Sequence, residues 1–469
     1  MKVEQIYTSC LAQGSYYIES NGEAVVIDPL REVGTYISMA ADRGAKIKYV
    51  FETHFHADFV SGHLTLAQQT GAEIVFGPTA KPNFNCLVAE DNQEFKVGDV
   101  TIKLLHTPGH TMESSSYLLI DENGKEVSLF SGDTLFLGDV GRPDLAQKSD
   151  LTQEDLAGML FDSLRTRIMT LPDEVIVYPG HGAGSACGKN MSKETIGSIG
   201  YEKVNNYALR ADMTKQEFIQ EVTEGILPPP AYFPENVAMN KKGYEDIDAI
   251  LTKGKSALSI DEFKTITSDE NVVILDVRHQ DVFVKGFIPN SMFIGIKGGF
   301  APWVGTLIKD VKTPIVLVTE EDMLEETITR LSRVGFDNVL GYLKGSISSW
   351  EQDGGDLNTI NSISPDKFES IFMDNNDIDI VDVRKTAEYL SEHMLDANTA
   401  PLSMLEENLN QFTAENENFV HCAGGYRSVI ACSILMQNGI NNITNVEGGF
   451  SAMKNLNINL SEFVCPSTL

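Results

Sequence analysis

The sequence predicts an α/β protein in three parts, a strand-rich first half followed by two smaller units of one kind. Three observations carry that expectation. Up to about residue 235, short β-branched runs alternate with loops and a few helical stretches. A proline-rich segment, Pro228-Pro229-Pro230, then breaks the pattern. Beyond it, two segments of about 100 residues repeat one order of strand, loop, strand and helix, the mark of a duplicated domain. A chain of 469 residues is also about three times the usual ~150-residue domain.

In order along the chain, the first-half strands are expected at 24–27, 48–52, 73–76, 100–105, 127–130 and 175–178. The triple proline and Phe233-Pro234-Glu235-Asn236 can neither continue a helix nor pair as a central strand. They read as a covering tail, and the first domain is placed at 1–250. The repeats are placed at 257–357 and 362–460. Val273-Ile274-Leu275-Asp276-Val277-Arg278 in one is echoed by Asp379-Ile380-Val381-Asp382-Val383-Arg384 in the other. Second strands follow at 314–318 and 418–421, then amphipathic helices ending at Gly335 and Gly439, the second expected over 429–438. Gly354-Gly355 and the polar stretch to Ser364 read as a linker.

Sixty-seven acidic residues against 36 basic ones give a formal charge of −31, which would repel nucleic acid and anionic membranes. A hydrophobic content of 42% is enough for packed cores, so the acidity reads as a solvated surface. No run approaches the ~18–20 apolar residues of a membrane span, and the first residues, Met-Lys-Val-Glu-Gln, lack the core of a signal peptide. Cys10, Cys86, Cys187, Cys422, Cys432 and Cys465 are widely spaced without a Cys-x-x-Cys pair, which fits a reducing, cytoplasmic setting and thiol chemistry at single sites.

Chemistry concentrates where strands end. Thr53-His54-Phe55-His56-Ala57-Asp58-Phe59 follows an apolar strand, and in extended chain His54 and His56 point to one side. His110 in Thr107-Pro108-Gly109-His110, Asp133 in Ser131-Gly132-Asp133 and His181 in Pro179-Gly180-His181 each follow a strand in the same way. A single histidine would read as core or surface; this set reads as a metal centre. His-x-His-x-Asp, then Gly-His, Gly-Asp and Gly-His, resembles the metallo-β-lactamase fold over about residues 1–235, which implies an αββα sandwich with metal at one edge. Many hydrolases of that family hold two zinc ions and carry histidine after the motif aspartate; here Phe59 stands there.

Loss of that ligand argues for one metal, and the domain resembles the persulfide dioxygenases, which bind one Fe(II). The resemblance implies His54, His110 and Asp133 as iron ligands, with His56, Asp58 and His181 orienting ligands or water from behind them. Gly141-Arg142-Pro143-Asp144 fits the same subgroup, with Arg142 expected to meet a carboxylate of the thiol carrier or a sulfur anion, or else to form a plain Arg–Asp pair. Cys187 reads either as a neighbour of the metal or as a small buried thiol. Tyr16, Tyr17 and Tyr117 are further candidates to approach substrate.

The second constellation is His421-Cys422-Ala423-Gly424-Gly425-Tyr426-Arg427-Ser428, between a strand and a helix. Backbone N–H groups of such a loop, Gly424 and Gly425 included, form an anion cradle that with Arg427 favours the Cys422 thiolate or a persulfide. The unit resembles a rhodanese. Asp382-Val383-Arg384 and Glu388 fit as structural residues, although Glu392-His393-Met394 departs from the usual Gly-His-Ile. Four residues separate Cys422 from Arg427, one fewer than in tyrosine phosphatases, which favours sulfur over phosphate. Aligning helix ends sets Val318 opposite Cys422 and Thr319-Glu320-Glu321-Asp322 at the loop; no nucleophile is there, so 257–357 reads as an inactive rhodanese that scaffolds or dimerises.

This order resembles fused persulfide dioxygenase–sulfurtransferases. It implies oxidation of a persulfide of glutathione, coenzyme A, cysteine or bacillithiol by O2 to sulfite, and transfer of sulfur through Cys422 to give thiosulfate, in a homo-oligomer. The rivals are a zinc thioester hydrolase of the glyoxalase II type and a non-catalytic persulfide carrier or sensor.

Overall fold

The computed structural model describes residues 1–145, 151–226, 228–375, 378–413 and 416–465. It divides into two compact units, one formed by Met1–Ala249 with Lys309–Val311 and Leu331–Gly335, the other by the remainder.

The first unit holds two six-stranded sheets. One runs Lys2–Thr8, Gln13–Ser20, Glu23–Ile27, Lys46–Phe51, Glu73–Phe76 and Leu87–Val88; the other runs Gly197–Ser198, Ile176–Pro179, Glu126–Gly132, Ser115–Ile120, Val100–His106 and Glu94–Val97. Alternation along each strand explains how they stack. Val25 and Ile27 of the first sheet join Ile102, Leu104 and Phe130 of the second in one inner core. Ala24 and Val26 face the other way, onto Tyr36 and Ala40 of helix Gly34–Arg43 and Leu66 of helix His63–Thr70. On the far side, Leu118, Leu129 and Val177 pack on Leu160 of helix Gln153–Ser163 and Phe218 of helix Lys215–Thr223. Helix, sheet, sheet, helix is the expected αββα sandwich.

The second unit contains two five-stranded parallel sheets of one topology. The first is ordered Ala257–Leu258, Val339–Leu343, Ile315–Val318, Val273–Asp276, Met292–Phe293; the second Asn361–Ile363, Ile443–Val446, Asn418–His421, Asp379–Asp382, Ala397–Thr399. The repeat extends to single contacts. Arg278 pairs with Asp276 and donates to the Gly286 carbonyl; Arg384 pairs with Asp382 and donates to the Glu392 carbonyl, eight residues on in both cases.

Several expectations change. Phe233–Lys242 is a helix rather than an irregular tail, because Pro234 sits in its first turn, where no intrahelical partner for an N–H is needed. Asn361–Ile363, expected in a linker, is an edge strand paired with Ile443–Val446. The helix after the Cys422 loop is Tyr426–Gln437, starting three residues earlier than expected, since Gly425 with φ of 92° turns the chain straight into it. Strand register also moves the alignment of the repeats by one residue. Asp276 pairs with Val318 and Asp382 with His421, so Thr319, not Val318, stands opposite Cys422.

Candidate metal centre and Cys422 loop

The five strand-end groups come together in the first unit. A donor atom each from His54, His110 and Asp133 lies within 4.8 Å of the others, and all three residues are buried. Asp133 Oδ2 is 3.5 Å from His110 Nε2 and 3.9 Å from His54 Nε2. Behind each ring a partner sets its tautomer. Thr53 Oγ1 donates to Asp28 Oδ2 (2.8 Å) and so accepts from His54 Nδ1 (2.9 Å), while His110 Nδ1 donates to the Arg142 carbonyl (2.8 Å). Both Nε2 atoms therefore present lone pairs to one point. Burial, then the charge of nearby His56, holds His54 well below the usual histidine value, keeping it neutral. Asp133 Oδ2 is buried and has no hydrogen-bond partner. An orphaned carboxylate oxygen between two imidazole lone pairs fits a divalent cation and is costly without one.

The remaining groups of the set divide. His181 Nδ1 meets Asp133 Oδ1 at 2.8 Å and its Nε2 meets Asp58 Oδ2 at 2.7 Å. Both ring nitrogens donate to carboxylates, and those charges outweigh burial to raise its pKa well above the ordinary value. His56 turns away, its Nε2 3.1 Å from Asp28 and 3.5 Å from Glu52. Burial alone would lower it, but the two carboxylates raise it to about 9. Phe59 is fully buried with its ring 4.3 Å from that of His56. Cys187 is buried and its sulfur groups with Asp58 and His181; burial, then the nearby carboxylates, raises its pKa and keeps it a thiol. Arg142 forks onto Asp144 at 2.6 and 2.7 Å and donates to the Ala186 carbonyl.

Tyr16, Tyr17 and Tyr117, expected near substrate, are core residues instead. Tyr16 donates to the Pro179 carbonyl and Tyr117 to the Glu52 carbonyl, and all three rings are buried. Asp28, Glu52 and Thr53 were missed, although Asp28 follows the strand Glu23–Ile27 just as the expected ligands follow theirs.

In the second unit Cys422 is buried at the end of Asn418–His421. The Gly425 N–H donates to its Sγ at 3.1 Å, and Ser428 Oγ lies 3.6 Å away, itself donating to Asn445 Oδ1. Gly425 thus takes part in the expected cradle, while Gly424 is exposed. Arg427 forks onto Glu388 at 2.6 and 2.8 Å; the residue expected to be merely structural orients the loop's one arginine. In the first repeat the corresponding loop carries Thr319-Glu320 and a short turn Glu321–Met323, with no thiol.

Two stacked sheets covered by helices, with His, His and Asp gathered where strands end, define a metal-binding sandwich protein. The chain belongs to the metallo-beta-lactamase superfamily, whose sequence pattern matches residues 9–181, and carries rhodanese-like domains matched at 259–353 and 364–456. A metallo-beta-lactamase from Staphylococcus aureus subsp. aureus COL is similar over 73% of this chain and 98% of its own, with 30% identity and a TM-score of 0.63. ETHE1 from Myxococcus xanthus is 32% identical, covering 51% of this chain and 98% of its own with a TM-score of 0.44. A cytoplasmic hydroxyacylglutathione hydrolase from Arabidopsis thaliana is 32% identical over 180 residues, 37% of this chain; the chain spans 66% of that hydrolase's length.

Proposed function

We propose that the first unit oxidises the sulfane sulfur of a low-molecular-weight persulfide with O2 at a single Fe(II), and that Cys422 transfers sulfur to the resulting sulfite to give thiosulfate. The observation that carries this reading is the asymmetry of the buried cluster. His54, His110 and Asp133 leave donor atoms free toward one point, whereas His181 spends both nitrogens on Asp58 and Asp133 and Phe59 offers no donor. That favours one metal over two. Two histidines and a carboxylate on one face suit non-haem Fe(II), which when bound would supply the electron transfer to O2 that no side chain provides.

The chain's own residues do the rest. Thr53 and the Arg142 carbonyl hold the two histidines in the ligating tautomer. His181, hydrogen-bonded between Asp58 and Asp133, keeps one oxygen of Asp133 occupied and leaves the other to the site. Overall, persulfide, O2 and water give thiol, sulfite and two protons; the sulfane sulfur loses the four electrons that O2 gains. At the second site Cys422 Sγ attacks the outer sulfur of another persulfide, the carrier thiol leaves, and sulfite then takes that sulfur from Cys422. Gly425 N–H stabilises charge on Sγ in each half.

The test is O2 uptake by Fe(II)-loaded protein on addition of glutathione persulfide, with sulfite and thiosulfate quantified together. Uptake near one O2 per sulfane sulfur is expected. Asp133→Ala should abolish uptake and spare thiosulfate-dependent transfer to a thiol; Cys422→Ser should release sulfite instead of thiosulfate. Identity with hydroxyacylglutathione hydrolases supports a second reading, a zinc thioester hydrolase. Hydrolysis of a glutathione thioester by zinc-loaded protein, without O2 uptake by the iron form, would establish it.

A further inference from the structure

The first rhodanese-like repeat has no nucleophile, yet it grips the helix that carries the other repeat's active loop. Tyr426, Ser433 and Gln437 lie on one face of helix Tyr426–Gln437, spaced by seven and four residues. All three engage the segment around Met292–Phe293, the edge strand of the nucleophile-free sheet. The Tyr426 hydroxyl donates to the Gly295 carbonyl at 2.7 Å, Ser433 Oγ accepts from the Phe293 N–H at 3.0 Å, and Gln437 Nε2 donates to the Asn290 carbonyl at 2.8 Å. Ser433 also donates within its own helix, to the Ile430 carbonyl, so its hydroxyl both donates and accepts and the edge-strand N–H is satisfied.

The contact is tightest next to the catalytic loop. The Phe293 ring meets Tyr426 edge-on at 6.0 Å, and Gly298 also lies against that ring. A Cβ on Gly298 would fall 2.2 to 2.5 Å from atoms of the Tyr426 ring. Gly298 has no positive φ, so the backbone there would accept alanine and only the ring forbids it. Tyr426 follows Gly425, whose N–H meets Cys422 Sγ, and precedes Arg427, which pairs with Glu388.

We propose that the nucleophile-free repeat is a positioning platform: Gly295 and Gly298 clamp Tyr426 and thereby fix how the Gly425 N–H and Arg427 are presented around Cys422. The inference rests on the reading of Cys422 as a sulfur-transferring nucleophile. Tyr426 touches no reacting atom; it acts through its neighbours.

The test uses the full chain with Gly298→Ala and Tyr426→Phe. Thiosulfate-to-thiol transfer is measured as kcat and KM, and Cys422 reactivity as the rate of its alkylation by iodoacetamide at fixed pH, followed by peptide mass. For Gly298→Ala we expect kcat lower by about tenfold with KM changed less than about threefold, as for a misaimed rather than lost binding site. The Cys422 alkylation rate should change by at least about threefold, with persulfide-dependent O2 uptake near wild type. Tyr426→Phe, which keeps the ring against Gly298 and loses the hydroxyl's bond to the Gly295 carbonyl, should lower kcat less than Gly298→Ala does. Wild-type kcat and alkylation rate in a folded Gly298→Ala would overturn the proposal; should that variant fail to fold, Tyr426→Leu, which removes the clamped ring, decides by the same two rates. If the wild-type chain transfers no sulfur, the reading of Cys422 fails by itself, and the alkylation rates still decide for or against the clamp.

Discussion

Thr53 stands between a carboxylate and a histidine, and its hydroxyl can satisfy both only in one direction, donating to Asp28 and accepting from His54. Thr53→Val keeps the shape and removes the relay, so His54 loses its fixed tautomer. Metal affinity should fall by about 10- to 100-fold, read by competition with a chelating dye. Glu388 supports a different prediction. Burial would raise its pKa, but Arg427 holds it below the ordinary 4.5. A carboxyl depressed in the folded state contributes stability that is present above its unfolded pKa and is lost as pH falls through the folded one. The difference in unfolding midpoint between wild type and Glu388→Gln should thus be full at pH 7 and shrink below about 4.5. A gap that persists unchanged at lower pH would show that the ion pair is not its source.

At the scale of elements, the donors depend on how strands end. His110 follows Gly109, whose φ of +144° suits glycine, and a Cβ there would fall 2.4 Å from the backbone of Leu160 in helix Gln153–Ser163. Gly109→Ala should cost about 1 to 3 kcal/mol or more in chemical denaturation. It should also lower metal content, because relief of the clash moves the turn that carries His110. In the second unit, an Arg–carboxylate pair and a carbonyl eight residues on close the same strand end in both repeats, while only one keeps a cysteine. From the residue after the last strand-paired one to the glycine beyond the helix, the cysteine-bearing repeat has one residue more, Cys422 to Gly439 against Thr319 to Gly335. Duplication preserved the scaffold and let the loop diverge.

For the whole molecule the prediction concerns independence of the two chemistries. On the function proposed above, chelation of the metal should abolish O2 uptake and leave thiosulfate-to-thiol transfer within about twofold of the untreated protein, since sulfur transfer needs only a nucleophile and a charge-stabilising loop. Loss of both activities together would show that the metal holds the fold of the chain and is not confined to one reaction. Among the described residues no helix is long and apolar enough to cross a membrane.

What the sequence determined by itself was local. Alternating β-branched runs marked the strands, a repeated Asp-x-Arg marked the duplication, and polar residues just past strand ends marked the candidate metal donors, because side-chain period and turn chemistry are properties of a few consecutive residues. The Cys422 loop was legible for the same reason: thiol, glycines and arginine lie in one short stretch between a strand and a helix. Tertiary structure alone decided the rest. That His56 turns to Asp28 and Glu52, that Arg142 spends its side chain on Asp144 and its carbonyl on His110, and that the tyrosines 16, 17 and 117 fill the core are pairings between residues distant in the chain. Which of several chemically equal partners a buried group takes depends on where the fold brings them, and no periodicity records that.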